Sequence, residues 1–363
     1  KTTTKDLLAS VLAAHAGTST VVAPPGSFNN ELGHPWTVLR ADADTRYLVL
    51  ELAARGLGHI AAQCAVAPPR IGLVLNVGSA HLGEFGSAEA IAVAKGELVE
   101  SLPPGDEGGV AVLNADDPQV AAMVSRTAAR VVTFGRGPEA RVRAEDVSLD
   151  DHGRAAFRLV TEHGSAKVRL NVVGEHQVSN ALAVAAATLE LGLDVEQVAS
   201  ALSQARHASQ WRMEVTDRPD GVTVINDAYN ANPESMRAAL TALSAIGGST
   251  RRRWAVLGPM AELGSISETA HAEVGELAGS LGVQRLVSVG AAGYQAGYQS
   301  GSGKDSMLVP DVSAALDLLR AQLRPDDVVL VKASRSAGLE RVAAGLLSDP
   351  GCGRGTDPAG GDR

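Results

Sequence analysis

Short apolar runs rich in β-branched residues alternate along this chain with longer stretches in which apolar residues recur every three or four positions. In the first half, the runs 47–51 (YLVLE), 71–76 (IGLVLN), 110–114 (VAVLN) and 130–134 (RVVTF) predict buried parallel strands. Helical patterns lie between them at 87–101 and 118–128, and a further one opens the chain with Leu7, Leu8, Val11 and Leu12 on its apolar side. Strands that alternate with helices call for a parallel sheet covered on both faces. From 141 to 173 the period drops to two, broken at Asp151-His152-Gly153 and His163-Gly164, which predicts antiparallel hairpins. An Ala-rich helix is expected over 177–191.

A second series of strands and helices starts near Trp211. Strands are expected at 222–225, 254–257, 285–289 and 328–332, and helices at 233–245, 268–281, 312–323 and 339–347. The fold class is therefore α/β. The expected division is a parallel-sheet domain with an added antiparallel hairpin region over 1–210, a Rossmann-like α/β domain over 211–348, and a tail over 349–363. That tail is made of Gly, Pro, Asp and Arg and is expected to be disordered.

Composition narrows the function classes. The 363 residues suffice for two or three domains, and with aromatics at only 3% the cores must be built from Ala, Val and Leu. A net charge of −9 with interspersed signs argues against a nucleic-acid surface. Arg251-Arg252-Arg253 is the one basic cluster, and it reads as a solvated entry to the strand that follows. Cys64 and Cys352 make neither a disulfide framework nor a metal site, and no apolar run is long enough to cross a bilayer. A monomer in a reducing, cytoplasmic setting is expected, without membrane insertion.

Candidate chemistry collects at the carboxyl ends of the predicted strands, where open parallel sheets bind their ligands. Glu51 closes one strand; Asn76 closes the next and His81 follows it. Lys95 stands in an Ala-rich helix, where a lysine is out of place. In the second half Asp227, Tyr229, Asn230 and Asn232 follow one strand, Met260 and Glu262 another, and Lys332, Ser334 and Arg335 the last. The same edge of two sheets is marked, which suggests a cleft between two domains. Each residue also has a plain structural alternative. Glu51 could cap a helix, His81 could serve a loop, Asp227 to Pro233 could be a turn into a helix, and His176 and Asn180 could pack one helical turn apart. Lys1-Thr2-Thr3-Thr4 has the form of the end of a phosphate-binding loop without its glycines.

Several segments together are similar to the Mur ligases of peptidoglycan synthesis, from Lys1 to about Leu347. They are Asn29-Asn30-Glu31-Leu32-Gly33-His34-Pro35, the stretch from Asn76 to His81, Ala94-Lys95-Gly96-Glu97, and the stretch from Gly174 through His176 to Asn180. Trp211-Arg212-Met213-Glu214 and the stretch from Asp227 to Pro233 complete the set. The last resembles most the MurF type, the branch that adds D-alanyl-D-alanine to a UDP-N-acetylmuramoyl-tripeptide. The resemblance implies an ATP-dependent amide ligase working through an acyl phosphate. It implies Lys1, Thr2 and Thr3 at the phosphates of ATP. It places Thr2, Glu51, His81 and a carbamylated Lys95 at Mg²⁺ or Mn²⁺, with Lys1, Glu51, His81 and Lys95 in the catalytic group. It puts His176 and Asn180 at the base, and Arg212 and Asp227 at phosphates and ribose. Asn29, Asn30 and Glu31 would meet the UDP-peptide; Tyr229, Asn230 and Asn232 would shape the nucleotide and acceptor side. Lys332, Ser334 and Arg335 would receive the dipeptide. The third residue of the tripeptide is left open, and a ligase of the same superfamily with another acceptor amine, or a non-catalytic nucleotide-binding relative, are the alternatives.

The chain departs from the family pattern at Ala53 and Ala333, where glycine is usual, and at Asn226 and Ser265, where acids are usual. It has no counterpart to the family's UDP-holding N-terminal domain, nor to the strand that feeds the phosphate loop. Residues 1–363 alone are therefore expected to be poorly stable and inactive, and the intact parent active.

Overall fold

A computed structural model describes residues 1–78, 87–206, 208–246, 250–303 and 305–348. The position of His81 and the tail expected at 349–363 lie outside these residues.

Helix α1 (Thr2–Ala16) buries Leu7, Val11 and Leu12. The short strand β1 (Val21–Val22), helix α2 (Gly33–Val38), strand β2 (Tyr47–Leu48) and helix α3 (His59–Val66) follow. The first large sheet is built from β3 (Ile71–Val74), β4 (Val110–Asn114), β5 (Arg130–Gly135), β6 (Val142–Leu149), β7 (Arg154–Thr161) and β8 (Gly164–Val173), in that spatial order. Its pairs are parallel through β6, and β6 to β8 form an antiparallel meander. Helix α4 (Ala88–Glu100), the single turn α5 (Pro118–Ala121), α6 (Gln177–Leu189) and α7 (Val195–Gln204) pack on it. α6 fills the core with Ala181, Ala183, Ala185 and Ala186, which explains how so few aromatics suffice.

Two expectations need correction here. The run 47–51 does not join the large sheet: only Tyr47 and Leu48 pair, in parallel, with Val21 and Val22. Val49 still donates to the Val22 carbonyl, but the chain then leaves the pairing and sets the Glu51 carboxylate against Asn29. The helix expected over 118–128 is one α-turn that tightens to 3₁₀ over Ala122–Arg126. There Arg126 reaches back to the carbonyls of Ala92 and Val93 on α4.

The second sheet runs β13 (Asp305–Val309), β12 (Arg285–Val289), β11 (Arg253–Leu257), β14 (Val328–Lys332), β10 (Thr223–Asn226), β9 (Glu214–Asp217), all parallel except β9. Helices α8 (Pro233–Ala245), α9 (Ser267–Ser280), α10 (Gly293–Ser300), α11 (Val312–Gln322) and α12 (Glu340–Ser348) cover its faces. The central strands were legible as fully buried runs. The edges β9 and β13 were not, because their sequences mix charged and apolar residues. α10 also escaped, since GYQAGYQS carries two glycines. Glycine is needed on both helices where α9 and α10 cross: a β-carbon on Gly297 of α10 would lie 1.7 Å from the Ala272 carbonyl oxygen, and one on Gly275 of α9 2.0 Å from that of Tyr294. The basic run before β11 is absorbed structurally. Arg252 forks onto the Asp327 carboxylate at 2.9 and 2.6 Å, and Arg251 donates to the Asp326 carbonyl.

Candidate active site between the two sheets

The first wall of the site is assembled from the start of α1, the loop after β1, the end of the β2 segment, and α4. Thr2 is buried, and its Oγ1 lies 2.5 Å from Ser27 Oγ. Lys1 Nζ donates to the Leu52 carbonyl at 3.2 Å, next to Glu51. Protein atoms crowding the Lys1 ammonium hold it below the ordinary lysine range, against the pull of Glu51 and with the push of Arg212. Thr3 lies half-buried one residue on. Glu51 is 6% exposed; one carboxylate oxygen accepts from Asn29 Nδ2 at 2.7 Å, and the other, Oε2, is buried with no partner among the described residues. A buried carboxylate oxygen left unspent is costly unless something cationic meets it. Asn30 uses its side-chain oxygen to hold Gly33 N at 2.8 Å, at the start of α2, and Glu31 is exposed.

Lys95 projects from α4 and donates to the carbonyls of Asn76 at 2.9 Å and Val77 at 2.5 Å. Burial, followed by the nearby positive charge of Lys1, pulls its ammonium down to about 8, with Asp117 and Glu234 opposing. The loop it touches is fixed from below. Asn114 Nδ2 holds the Leu75 carbonyl at 2.7 Å and Asp117, the N-cap of α5, accepts from Val77 N at 2.8 Å.

The second wall comes from the linker and the loops at the carboxyl edge of the second sheet. Ser209 N donates to Asp6 on α1 at 2.9 Å, which ties the linker to the first wall. Trp211 and Met213 then adopt left-handed φ values of 60° and 52°, strained for non-glycine residues. Two bonds hold them: Tyr229 N to the Trp211 carbonyl at 3.2 Å, and Met213 N to Asp227 Oδ1 at 3.1 Å. The Arg212 guanidinium between them stacks 4.2 Å from the centre of the Tyr229 ring and reaches Ser27 Oγ at 2.7 Å. Asp227 gives its other oxygen to Lys332 at 2.6 Å, and Lys332 also donates to the Asn230 carbonyl at 2.8 Å. Ser334 Oγ accepts from Ala261 N at 2.8 Å and so joins two loops, while exposed Arg335 lies over Trp211 and pairs with Glu340.

Lys1, Thr2, Asn29, Glu51 and Lys95 thus gather on one side, and Arg212, Asp227 and Tyr229 on the other. Others are committed elsewhere. Asn232 caps α8, with Ser235 N at 2.8 Å, so the turn-into-helix alternative holds for it. Asn180 is engaged by Thr4 Oγ1 at 3.0 Å and by Gln177 at 2.8 Å, fastening α1 to α6, and His176 sits beside Gln177 at the head of α6. Lys332 is 2% exposed and spent on Asp227 rather than open to a ligand. Of the residues at which the chain departs from the family pattern, Ala333 is accommodated because its β-carbon faces Gly258. Ala53 lends its backbone to Asn29 and Gln63.

Sequence reasoning missed two residues. Ser27 bridges the walls, and its only signal was its place after Pro24-Pro25-Gly26. Glu97 accepts from Gly58, Ile60 and Ala61 N at 2.5, 3.1 and 3.0 Å and caps α3 from a neighbouring helix.

Among the described residues no group of three or more His, Cys, Asp or Glu forms a closed metal site. The hard oxygens present, a carboxylate and a hydroxyl, nevertheless suit a divalent cation that keeps waters and phosphate in its shell, and the unspent Glu51 Oε2 is the atom such a cation would satisfy.

Comparison with known proteins identifies the family. Residues 1–188 match the Mur ligase middle domain and 211–335 the glutamate ligase domain of Mur ligases. The chain belongs to the Mur ligase family. It is 54% identical, over 97% of its length and 72% of the relative's, to UDP-N-acetylmuramoyl-tripeptide–D-alanyl-D-alanine ligase of Mycobacterium tuberculosis (strain H37Rv). Among solved structures it is similar to MurF from Acinetobacter baumannii, with a TM-score of 0.85 and 31% identity over 96% of this chain and 74% of that one. It is also similar to MurF from Thermotoga maritima in complex with ADP, with a TM-score of 0.81 and 29% identity over 95% and 77%. No helix among the described residues is long and apolar enough to cross a membrane.

Proposed function

We infer that this chain is an ATP-dependent ligase that joins D-alanyl-D-alanine to UDP-N-acetylmuramoyl-tripeptide in the synthesis of the peptidoglycan precursor. The observation that carries this reading is the 54% identity to the mycobacterial ligase across nearly the whole chain, over a fold shared with an ADP-bound relative. The terminal carboxylate of the tripeptide takes the γ-phosphoryl group of ATP, leaving ADP. The dipeptide amine then attacks the acyl carbon, and phosphate departs as the amide forms. Charge develops first on phosphoryl oxygens and then on a tetrahedral carbon, so the protein contributes mainly placed cations and orientation.

Lys1 and Arg212 are the cations we assign to the phosphates. Thr2, Glu51 and His81 would hold Mg²⁺ or Mn²⁺, which supplies charge neutralisation between the phosphates. A carbamate on Lys95 would add an anionic ligand to the same region. The lowered basicity of Lys95 supports this, because only a neutral amine reacts with CO₂. Of the two cations expected near the dipeptide, Lys332 is buried on Asp227, whereas Arg335, though paired with Glu340, is exposed and is the one we assign to the dipeptide carboxylate. Both nucleotide substrates place the reaction in the cytoplasm.

The test is phosphate release with ATP, Mg²⁺, the UDP-linked tripeptide and a panel of acceptor amines. Release that depends on D-alanyl-D-alanine is expected. Release indifferent to the dipeptide, or faster with a single amino acid, would overturn the reading.

A further inference from the structure

We propose that Ser27 is a positioning residue that couples the metal-side hydroxyl of Thr2 to Arg212, and through it to the second sheet. The inference rests on the ligase reading above. Ser27 Oγ stands 2.5 Å from Thr2 Oγ1 and accepts from Arg212 Nη2 at 2.7 Å, so one hydroxyl ties Thr2 to a residue 185 positions beyond Ser27 in sequence. A hydroxyl offers one proton and two lone pairs, which lets Ser27 serve both partners at once.

Three observations make this more than a surface contact. Thr2 is 2% exposed, so its hydroxyl rotor has few other partners. The backbone on both sides of Arg212 is held left-handed at Trp211 and Met213, a conformation that persists only where its surroundings enforce it. Arg212 Nε is buried without a partner among the described residues, so the guanidinium retains a donor for an anion beside the one it gives Ser27. The consequence is directional. When the Thr2 oxygen turns its lone pair toward a cation, its proton points to Ser27, and Ser27 remains an acceptor for Arg212. Occupancy of the nucleotide site and docking of the linker then favour one another, as linkage requires of any two events that share a contact. Ser27 does this without touching the reacting atoms.

Three substitutions separate the roles. Ser27→Thr keeps the hydroxyl, Ser27→Val has the same shape without it, and Ser27→Ala removes it with least disturbance. In the whole enzyme, ADP affinity is measured with Mg²⁺ and with EDTA, and amide hydrogen exchange is followed over 209–213. With the native protein, Mg²⁺–ADP tightens binding and protects the linker. Ser27→Ala and Ser27→Val should lose about tenfold of the Mg²⁺-dependent gain, as for one charge-assisted hydrogen bond, and lose the linker protection. Affinity in EDTA should change less than about twofold, since the metal-free site does not use the Thr2 lone pair. Ser27→Thr should restore both. Native-like gain and protection in the Val and Ala variants would overturn the coupling while leaving the ligase reading intact. A native protein that binds no nucleotide would overturn both.

Discussion

The lowered basicity of Lys95 makes a quantitative prediction about CO₂. Only the neutral amine attacks CO₂, forming an N–C bond and releasing a proton. At pH 7.5 an amine that titrates at about 8 is roughly one-quarter neutral, whereas one at the ordinary 10.5 is about one-thousandth neutral. The neutral fraction of Lys95 at that pH is then roughly two-hundred-fold that of a solvated lysine, so it should take up CO₂ faster, by less than that ratio because a less basic amine is also a weaker nucleophile. The rate should climb tenfold per pH unit below about 8 and level off above it, because the neutral fraction saturates there. The assay is ¹³C NMR of enzyme exposed to ¹³CO₂ at fixed partial pressure, with Lys95→Arg as the reference that keeps charge but cannot be carbamylated in this range. Ligase turnover in CO₂-depleted buffer is read alongside. One carbamate resonance absent from Lys95→Arg, and a turnover that recovers on adding CO₂, are expected. An uptake rate still rising steeply past pH 9 would show that Lys95 titrates like a free lysine, and an unchanged spectrum in Lys95→Arg would refute the assignment. The ammonium now holds the Asn76 and Val77 carbonyls, so carbamate formation should also loosen the backbone at those two residues.

Glu51→Gln keeps a carbonyl oxygen for Asn29 but replaces the unspent oxygen with a donor; the Mg²⁺ concentration for half-maximal turnover should rise at least about tenfold, and an unchanged titration would contradict the ligand role. Lys332→Met strands the Asp227 carboxylate and should destabilise the second sheet by about 3–5 kcal/mol in urea unfolding, against a loss under about 1 kcal/mol if the pair were effectively solvated. Asp227→Ala releases both Lys332 and Met213 N, and should raise the ATP KM more than that of the tripeptide; the reverse order would reassign Asp227. Gly297→Ala forces a methyl into the Ala272 carbonyl and should cost about 1–3 kcal/mol in thermal unfolding with little change in KM.

What was legible in the sequence follows burial. Strands such as 110–114 and 328–332 are buried along their whole length and therefore read as unbroken apolar runs. Edge strands such as 214–217 hold no fully buried residue and carry too weak a pattern to find. Glu51 and Asp227 were legible as polar residues after predicted strands, Lys95 as a lysine out of place in a helix, and Arg212 only through the family resemblance; the fold sets these four around one cleft. Partnership was not legible. Lys332 looks in sequence like a free cation at a strand end, but its partner is 105 residues away, and only the fold shows that the pair is closed. Ser27 is the opposite case. Serine after a proline–glycine turn has no distinguishing feature in one dimension, and its meaning comes from Arg212 arriving from the linker that precedes the second sheet.

The segment Ala94-Lys95-Gly96-Glu97 shows why a motif overstates the number of residues that do chemistry. Lys95 alone faces the cleft. Gly96 is small because the Arg126 side chain crosses α4 there; a β-carbon would sit 1.9 Å from its guanidinium. Glu97 points the other way and collects three backbone N–H groups at the start of α3, where the helix dipole favours a carboxylate. α3 follows Glu51 by eight residues, and its Gln63 returns to the Ala53 carbonyl, so the cap steadies the segment that carries the Glu51 carboxylate. Three of the four letters thus support the proposed site by three routes: the Lys95 amine, room at Gly96 for a crossing side chain, and an anchor at Glu97 for the segment that carries Glu51. Their order follows from the 100° step of the helix, which turns adjacent residues to different neighbours.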